Sequence, residues 1–522
     1  MSYQEFLNYV PWLVVSVSTL AAVLILLIDR PVMPEWKRNF RDVISFIAAV
    51  IKFTLVCSML PAVLSGDVIE TAPIYIARDI PLYFKVDAFG LLFALLSSSL
   101  WIATSVYAVG YMRALKYGHE AGFYATFALS LAAATGIAMS GNLLTFFIFF
   151  EILTVATYPL VVHNRDKDAI RSAREYLIYL LIAGQALLVA VVWTHLLAPG
   201  ASFTPGGFLA DTGASKTVLT ILFVLFILGV GVKAAIIPFH GWLPSAMVAP
   251  TPVSALLHAV AVVKAGAFAV TRVTGYVFGP ELVWELGVGA ILAVFAGVTI
   301  IFASLKALTE QHLKRRIAYS TVSQLSYIVL GAALSTPAAI LGAMFHIVAH
   351  GFMKITMFFC AGAIYATSHK EYVYQIDGIA RKMPFTMGAF ALAAIAITGM
   401  PFMVGFISKW NLGIGALEAG FPIYVAVLIV SAALNVGYFF PIVYKAFFNK
   451  EKEPTSEKEK KYANHGEADW KMLYPLIATA VFSFIFGILP NLGVHFYDLA
   501  VMAAEEVSSG FNDLLTKGDV NW

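Results

Sequence analysis

Apolar residues run through this chain in blocks of about twenty, separated by short polar stretches. A block of that length, coiled as an α-helix, crosses the roughly 30 Å hydrocarbon core of a bilayer. Scanning gives about fourteen such spans: 11–28, 43–65, 88–112, 121–140, 142–162, 175–197, 217–240, 252–271, 285–303, 317–334, 338–366, 385–410, 422–448 and 472–492. The pattern predicts an all-α integral membrane protein with about fourteen transmembrane helices.

Two of these helices are predicted to be broken. Span 7 runs into PFHGWLPSAMVAPTP at 238–252, where Pro238, Pro244, Pro250 and Pro252 each remove an N–H donor and clash with the preceding turn. Span 12 reads ITGMPFMVGFISKW, with Gly399 and Pro401 ahead of Lys409. Breaks at membrane depth survive only where the freed backbone groups face protein or a wet cavity. The broken spans are five apart, which predicts a duplication relating spans 4–8 to spans 9–13. A unit of five helices reverses direction when it recurs, so the copies would be two inverted five-helix repeats. The expected organisation is N-terminal helices 1–3 over 1–120, repeat 1 over 121–272, repeat 2 over 273–448, a charged cytoplasmic loop over 449–471, and helix 14 with the C-terminal tail over 472–522.

Composition agrees with the pattern: 60% of residues are hydrophobic and 12% charged, against about 25% charged in soluble proteins. The charges are sorted. Loops after odd-numbered spans hold Arg30, Lys37, Arg38 and Arg41; Arg113 and Lys116; Arg165, Lys167, Arg171 and Arg174; Lys306, Lys314, Arg315 and Arg316; Lys370, Arg381 and Lys382; and Lys445 through Lys471, which is 24 of the 34 basic residues. Loops after even-numbered spans hold Arg78, Lys85, Lys216 and Arg272, and the tail holds Lys517. The positive-inside rule makes the larger set cytoplasmic and puts both termini on the extracytoplasmic side of a multi-pass protein of the cell membrane. The first apolar run lacks a basic lead and a small-residue cleavage site, so it is expected to remain as a helix. Cys57 and Cys360 show no metal, haem or iron–sulfur spacing, and there is no phosphate-binding glycine loop. No cofactor and no redox chemistry are expected in this chain itself.

Five lysines remain, and they lie inside the apolar runs: Lys52, Lys233, Lys264, Lys354 and Lys409, joined by Glu151. An ionisable group at mid-membrane costs roughly 2.5–3.5 kcal/mol even on the lenient insertion scale, so several in one chain imply a polar interior path. Glu151 has no basic residue on its own helix. It either holds helices together or pairs with a lysine on a neighbour, Lys233 being the candidate. Separating such a pair favours proton loss from the lysine, and closing it favours capture. His258 and Lys264 share span 8, where His258 reads either as hydrogen-bonded structure or as a relay. His346, His350 and Lys354 recur every four residues and form one stripe on span 11. That spacing also suits a metal, but a lysine takes the next place, so a water-bridged proton relay is the better reading. Lys409 either reaches an interface or ends the series. Lys52 has no role assigned by sequence.

The segments GVKAAIIPFHGWLPSAMVAPTPVSALLHAVAVVKAG, RRIAYSTVSQLSYIVLG, FHIVAHGFMKITMFFCAG and GMPFMVGFISKW resemble the proton-translocating antiporter-type subunits of respiratory complex I, of Mrp cation/proton antiporters, and of archaeal membrane-bound hydrogenase and sulfur-reducing complexes. The resemblance covers roughly residues 80–450 and implies fourteen helices with two inverted repeats. It also implies proton-transfer roles for Glu151, Lys233, His240, His258, Lys264, His346, His350, Lys354 and Lys409, the last standing where some members have glutamate. The chain ends soon after span 14, and is expected to be most similar to the D-type Mrp subunit or its hydrogenase counterpart. The function implied is a transport module in a hetero-oligomeric membrane complex, handling protons and possibly Na+, with no nucleic acid. A stand-alone secondary transporter and a non-transporting scaffold are the other readings.

Overall fold

The computed structural model describes residues 3–28, 35–77, 80–451 and 466–509. Within these, twelve helices are long and apolar enough to cross a membrane. They are α1 (Val10–Ile28), α2 (Arg38–Leu64), α3 (Ala88–Ala114), α4 (Glu120–Ala138), α5 (Leu143–Val161), α6 (Lys167–Leu197), then, after the shorter α7 (Lys216–Gly231), α8 (Thr251–Phe278), α9 (Val288–Thr309), α10 (Leu313–Leu334) and α11 (Pro337–Ser368). Two short helices, α12 (Pro384–Thr398) and α13 (Val404–Glu418), precede the long α14 (Pro422–Phe448) and α15 (Trp470–Ile488). The chain is an integral, multi-pass membrane protein.

The short helices mark the two breaks. α7 stops at Gly231, the chain turns through 232–241, and helix resumes only as a single turn at Trp242–Ser245. Lys233 therefore sits in the break itself and not within the span that the sequence assigned to it. α12 stops at Thr398, where Gly399 takes a left-handed conformation (φ +86°) as the helix cap, and α13 begins five residues later. A glycine adopts that φ without the Cβ clash other residues meet. Each break also holds a non-glycine residue at positive φ, Ala235 (+56°) and Phe402 (+67°). Such a residue stores on the order of 1–2 kcal/mol of backbone strain.

Local sequence sets the helix starts. Asn142 accepts from Thr145 N (2.8 Å) at the head of α5, Asp166 from Ala169 N (2.7 Å) at α6, and Asp87 from Gly90 N (2.7 Å) at α3. Each cap satisfies one of the N–H groups a helix start leaves open. At the centre stands α11, buried throughout its middle stretch, touching α3, α8, α10, α12, α13, α15 and a further helix, α16 (Phe496–Ser508). α8 is wholly buried.

Three expectations need correction. The chain is not purely helical: β1 (Ile69–Glu70) pairs antiparallel with β4 (Lys85–Val86), and β2 (Ile74–Ala77) with β3 (Ile80–Leu82), between α2 and α3. The β-favouring Ile74, Tyr75 and Ile76 lie there in a stretch too short to span. Thr71 locks it, its N–H donating to the Phe84 carbonyl and its hydroxyl accepting from the Phe84 N–H. The tail, to which the pattern assigned no element beyond helix 14, holds α16, which buries Phe496, Leu499, Ala500, Ala503 and Val507. Arg272 is not a loop residue. α8 continues to Phe278 through a π-helical last turn, and Arg272 lies inside it at 1% exposure, bonded to both oxygens of Asp87 (Nη2–Oδ1 2.9 Å) and ringed by Phe89, Phe203, Phe268 and Tyr276. Sequence alone hides this, since the counter-charge comes from a cap residue at the far end of another helix.

At the opposite ends of α2–α4, Arg38 and Arg41 meet Glu120 (2.5 Å each), and Asp42 receives both Arg41 and Arg113. Most of the 449–471 loop, along with Arg30, Arg78 and Lys517, lies outside the described residues.

Candidate functional site

The stripe on α11 forms as its spacing predicts. The His346 and His350 rings stack 5.9 Å apart at 27°, and the Tyr327 ring of α10 stacks on His346 at 5.5 Å. His346 Nδ1 shares a 2.7 Å hydrogen bond with the Ser408 hydroxyl of α13. Lys354 donates to the Ile317 carbonyl of α10 (3.1 Å) and lies 5.3 Å from the Phe439 ring.

α8 brings the second set. Its residues Leu256–Val260 form a π-helical turn that carries His258 and ends at Ala261, where the backbone leaves helical values (φ −114°, ψ −81°). Such bulges insert one extra residue per turn and recur at functional sites. His258 packs against Phe358 of α11 (4.7 Å), and Lys264 follows it further along α8. His350 is within electrostatic reach of Lys264, Lys354, His346 and His258; His346 of Lys264 and Lys409; and Lys354 of Lys409 and Lys264. Two histidines and two lysines from helices far apart in sequence thus converge on the third histidine.

These groups share one property. Both ring nitrogens of His258 and of His350, Nε2 of His346 and Nζ of Lys264 are buried without a hydrogen-bond partner from the protein, and all four residues have zero exposure. A buried polar atom left unpaired costs about 1–3 kcal/mol, so a whole row of them is not explained by packing.

The two ends of the row sit at the helix breaks. Lys409, half-buried, donates to the Ile397 carbonyl (2.5 Å), one of the carbonyls that the end of α12 sets free, and lies over the Tyr327 ring at 5.1 Å. A cation at a helix C-terminus is favourably placed against the macrodipole. At the other break, Lys233 donates to the Phe150 carbonyl of α5 and lies 3.3 Å above the Phe150 ring. Gly266 lets the broken segment pack against α8, because a Cβ there would stand 2.3 Å from Ala234 N.

The predicted Glu151–Lys233 pair needs a correction. The two interact electrostatically, but Lys233 bonds the carbonyl of the residue before Glu151, and Glu151 Oε1 has no hydrogen-bond partner. The carboxylate instead lies over Gly184 of α6, where a Cβ would come within 2.7 Å of it. A buried ammonium takes whichever oxygen it reaches, and the break in α7 delivers this one to backbone.

His240 stands apart from the row. Its contacts are the Phe302 ring (5.4 Å) and the charge of Lys306, both on α9.

Lys52 acquires a role that the sequence did not give it. Fully buried, it donates to the Ser18 hydroxyl of α1 (2.9 Å) and the Leu131 carbonyl of α4 (2.8 Å), over the Trp101 ring of α3 at 5.3 Å. It ties helices α1–α4 and is remote from the α8–α11 row. Lys52→Met, keeping the stem but losing the donor, is expected to leave ion movement within about twofold of wild type while lowering the melting temperature, because deleting one hydrogen-bonded charged partner costs about 1.5–3 kcal/mol. Thermal unfolding and vesicle transport on the same preparation check both halves.

Residues 140–435, the stretch that holds every member of the row, match the family described as NADH:quinone oxidoreductase/Mrp antiporter, transmembrane. The chain belongs to this family. It is 34% identical to NADH-quinone oxidoreductase subunit N of Desulforudis audaxviator over 69% of this chain and 71% of that one. It is 29% identical to the A/B subunit of a probable K(+)/H(+) antiporter of Rhizobium meliloti over 86% of its own length, spanning 45% of that longer protein. Its fold is similar to that of a chain in the Mrp complex of Dietzia sp. (TM-score 0.83, 21% identity, 98% of this chain and 99% of that one). In this member of the NADH:quinone oxidoreductase/Mrp antiporter family, sequence reading missed Ser408, Tyr327 and the Asp87–Arg272 pair. Ser408 was within reach, being the neighbour of Lys409 in GFISKW.

Proposed function

We propose that this chain is a proton-conducting, antiporter-like subunit of a multisubunit membrane complex of the Mrp or complex I-related kind. Protons would pass along Glu151, Lys233, His258 and Lys264, His350 and His346, Lys354 and Lys409. The observation that carries this reading is the row of buried, unpartnered nitrogens on α8 and α11, flanked by Lys233 in one helix break and by Lys409 of α13, which bonds a carbonyl at the other break. Buried polar atoms of this kind are satisfied by ordered water, and water between titratable groups closes a hydrogen-bonded path for protons. The relatives, one a subunit of an NADH-quinone oxidoreductase and one of a probable K(+)/H(+) antiporter, support the same assignment.

In this reading the twelve long helices and the two broken ones make fourteen crossings, with α4–α8 and α9–α14 as inverted repeats. The loops rich in lysine and arginine face the cytoplasm, and the termini lie on the other side of the cell membrane. Moving one charge against 100 mV requires about 2.3 kcal/mol, so the chain depends on other membrane subunits or a counter-ion gradient for drive. No cofactor in this chain is needed. His240 is left outside the path.

The test is Lys264→Ala and Lys264→Arg in the assembled complex, with proton movement followed by a pH-sensitive dye in vesicles. Alanine is expected to cut the rate at least about a hundredfold, the lower end of the range for loss of an acid–base group. Arginine is expected to fail equally, because it holds charge but does not release its proton. A wild-type rate in either variant overturns the assignment.

A further inference from the structure

His346 differs from the other histidines of the row. His258 and His350 have both ring nitrogens without a protein partner, whereas Nδ1 of His346 meets the Ser408 hydroxyl at 2.7 Å and only its Nε2 is open. A neutral imidazole carries its proton on one nitrogen, and the bond made by one nitrogen decides the state of the other. Ser408 is therefore the place where the protein can set a tautomer within the row.

Close helix contacts hold Ser408 to the ring. Gly342 lies one turn before His346 on α11, and a Cβ there would stand 3.0 Å from the Ser408 carbonyl oxygen and 2.8 Å from Leu412 N, both on α13. Gly405, three residues before Ser408, lies against α12, where a Cβ would stand 2.2 Å from the Ala396 carbonyl oxygen. A side chain at either glycine would push α13 aside and open the bond. The ring plane is fixed as well, by stacking on Tyr327 and on His350. Ser408 and His346 both have zero exposure.

The direction of the bond follows from counting hydrogens. The Ser408 hydroxyl has one, and it donates to the Gly405 carbonyl at 3.2 Å. Helical serines commonly bond back to their own backbone in this way. With that hydrogen committed, Ser408 accepts from His346, so Nδ1 carries the proton and Nε2 presents a bare lone pair. The opposite arrangement, Ser408 donating into Nδ1, makes one hydrogen bond in place of two and turns Nε2 into a donor. The titratable groups around the ring are Lys264 of α8, His350 of α11, Lys409 of α13 and Tyr327 of α10. Lys264 Nζ has only hydrogens to offer and no protein acceptor, so a lone pair at Nε2 suits it, directly or through water, and a second donor there repels it.

We propose that Ser408 is a positioning residue that locks neutral His346 in the Nδ1–H tautomer, so that the ring takes and gives its relayed proton at Nε2 alone. This rests on the proton-conducting reading above. A proton leaving the Lys264 ammonium binds Nε2, which yields a neutral amine and an imidazolium whose Nδ1–H still donates to Ser408. Its departure from Nε2 restores the same tautomer. His346 is then a docking point open only toward the row, not a ring that passes protons from one nitrogen to the other.

The experiment uses the assembled complex in vesicles with isotope-labelled histidine, and compares wild type, Ser408→Ala and Ser408→Thr, with Lys264→Ala beside them. His346→Gln identifies the His346 signals by difference. Nitrogen NMR at a pH high enough to leave the ring neutral reads the tautomer, which a merely structural serine would not set. Wild type and threonine are expected to carry the proton on Nδ1, and threonine to keep at least half of the wild-type rate. Alanine is expected to move the proton to Nε2 and slow proton movement about tenfold, the lower end of the loss when a metal-bound histidine is deprived of its orienting partner. If the extra methyl of threonine prevents assembly, wild type and alanine decide. An Nε2–H tautomer in wild type, an unchanged tautomer in Ser408→Ala, or a changed tautomer with a wild-type rate each overturn the lock. Should Lys264→Ala halt movement while Ser408→Ala keeps the wild-type tautomer and rate, the lock alone fails. Should Lys264→Ala run at the wild-type rate, the conducting reading fails and takes the relay role of His346 with it.

Discussion

Replacing Lys233 with alanine is expected to bring proton movement through the complex down about a hundredfold, within the range seen when a positioned acid–base group is removed. Lys233 stands where α7 breaks, between the Glu151 region of α5 and the face of α8 that Gly266 opens to it. Its loss removes the titratable group that joins those two regions. Folding should survive, because Lys233 bonds a carbonyl that already belongs to a continuous helix, and no buried counter-charge is stranded in hydrogen-bonding contact. Glu151→Gln is expected to be milder, since the carboxylate makes no direct bond to the lysine. Dye-monitored acidification of vesicles holding equal amounts of assembled complex measures both. Wild-type rates for Lys233→Ala would remove this end of the path from consideration.

Asp87→Ala should have the largest effect on stability. It strands the Arg272 guanidinium, 1% exposed, in a nest of aromatic rings, and removing one partner of a buried ion pair costs about 3–5 kcal/mol. It also uncaps α3, worth about another 1 kcal/mol. A markedly lower melting temperature in detergent and reduced yield are expected. Asp87→Asn, which keeps the cap but loses the charge, should fall between. Arg272→Met on top of Asp87→Ala should recover most of the loss, since replacing a whole buried pair by apolar groups is often neutral. A melting temperature for Asp87→Ala equal to that of wild type would contradict the argument.

How much of this was open to reading depends on where each interaction finds its partner. The helix breaks were legible because Pro238 and Pro401 act on their own backbone, and the α11 stripe because His346, His350 and Lys354 need only helical periodicity to align. The intramembrane lysines announced themselves as charges in apolar runs. What a buried ammonium bonds to was not legible. Lys233, Lys52 and Lys409 all took backbone carbonyls, which every residue has and no sequence pattern singles out. Arg272 read as a loop residue because its counter-ion lies 185 positions away.

The enclosure of α11 has a consequence for biogenesis. This helix carries two histidines and a lysine and is buried throughout its middle stretch, so during synthesis it leaves the translocon with side chains that the surrounding acyl chains do not solvate. Part of its sheath, α15 and α16, is made well after it. The nascent chain must therefore keep α11 provisionally sheltered, by earlier helices or by an insertase, until α15 and α16 follow about a hundred residues downstream, and maturation of the core waits on them.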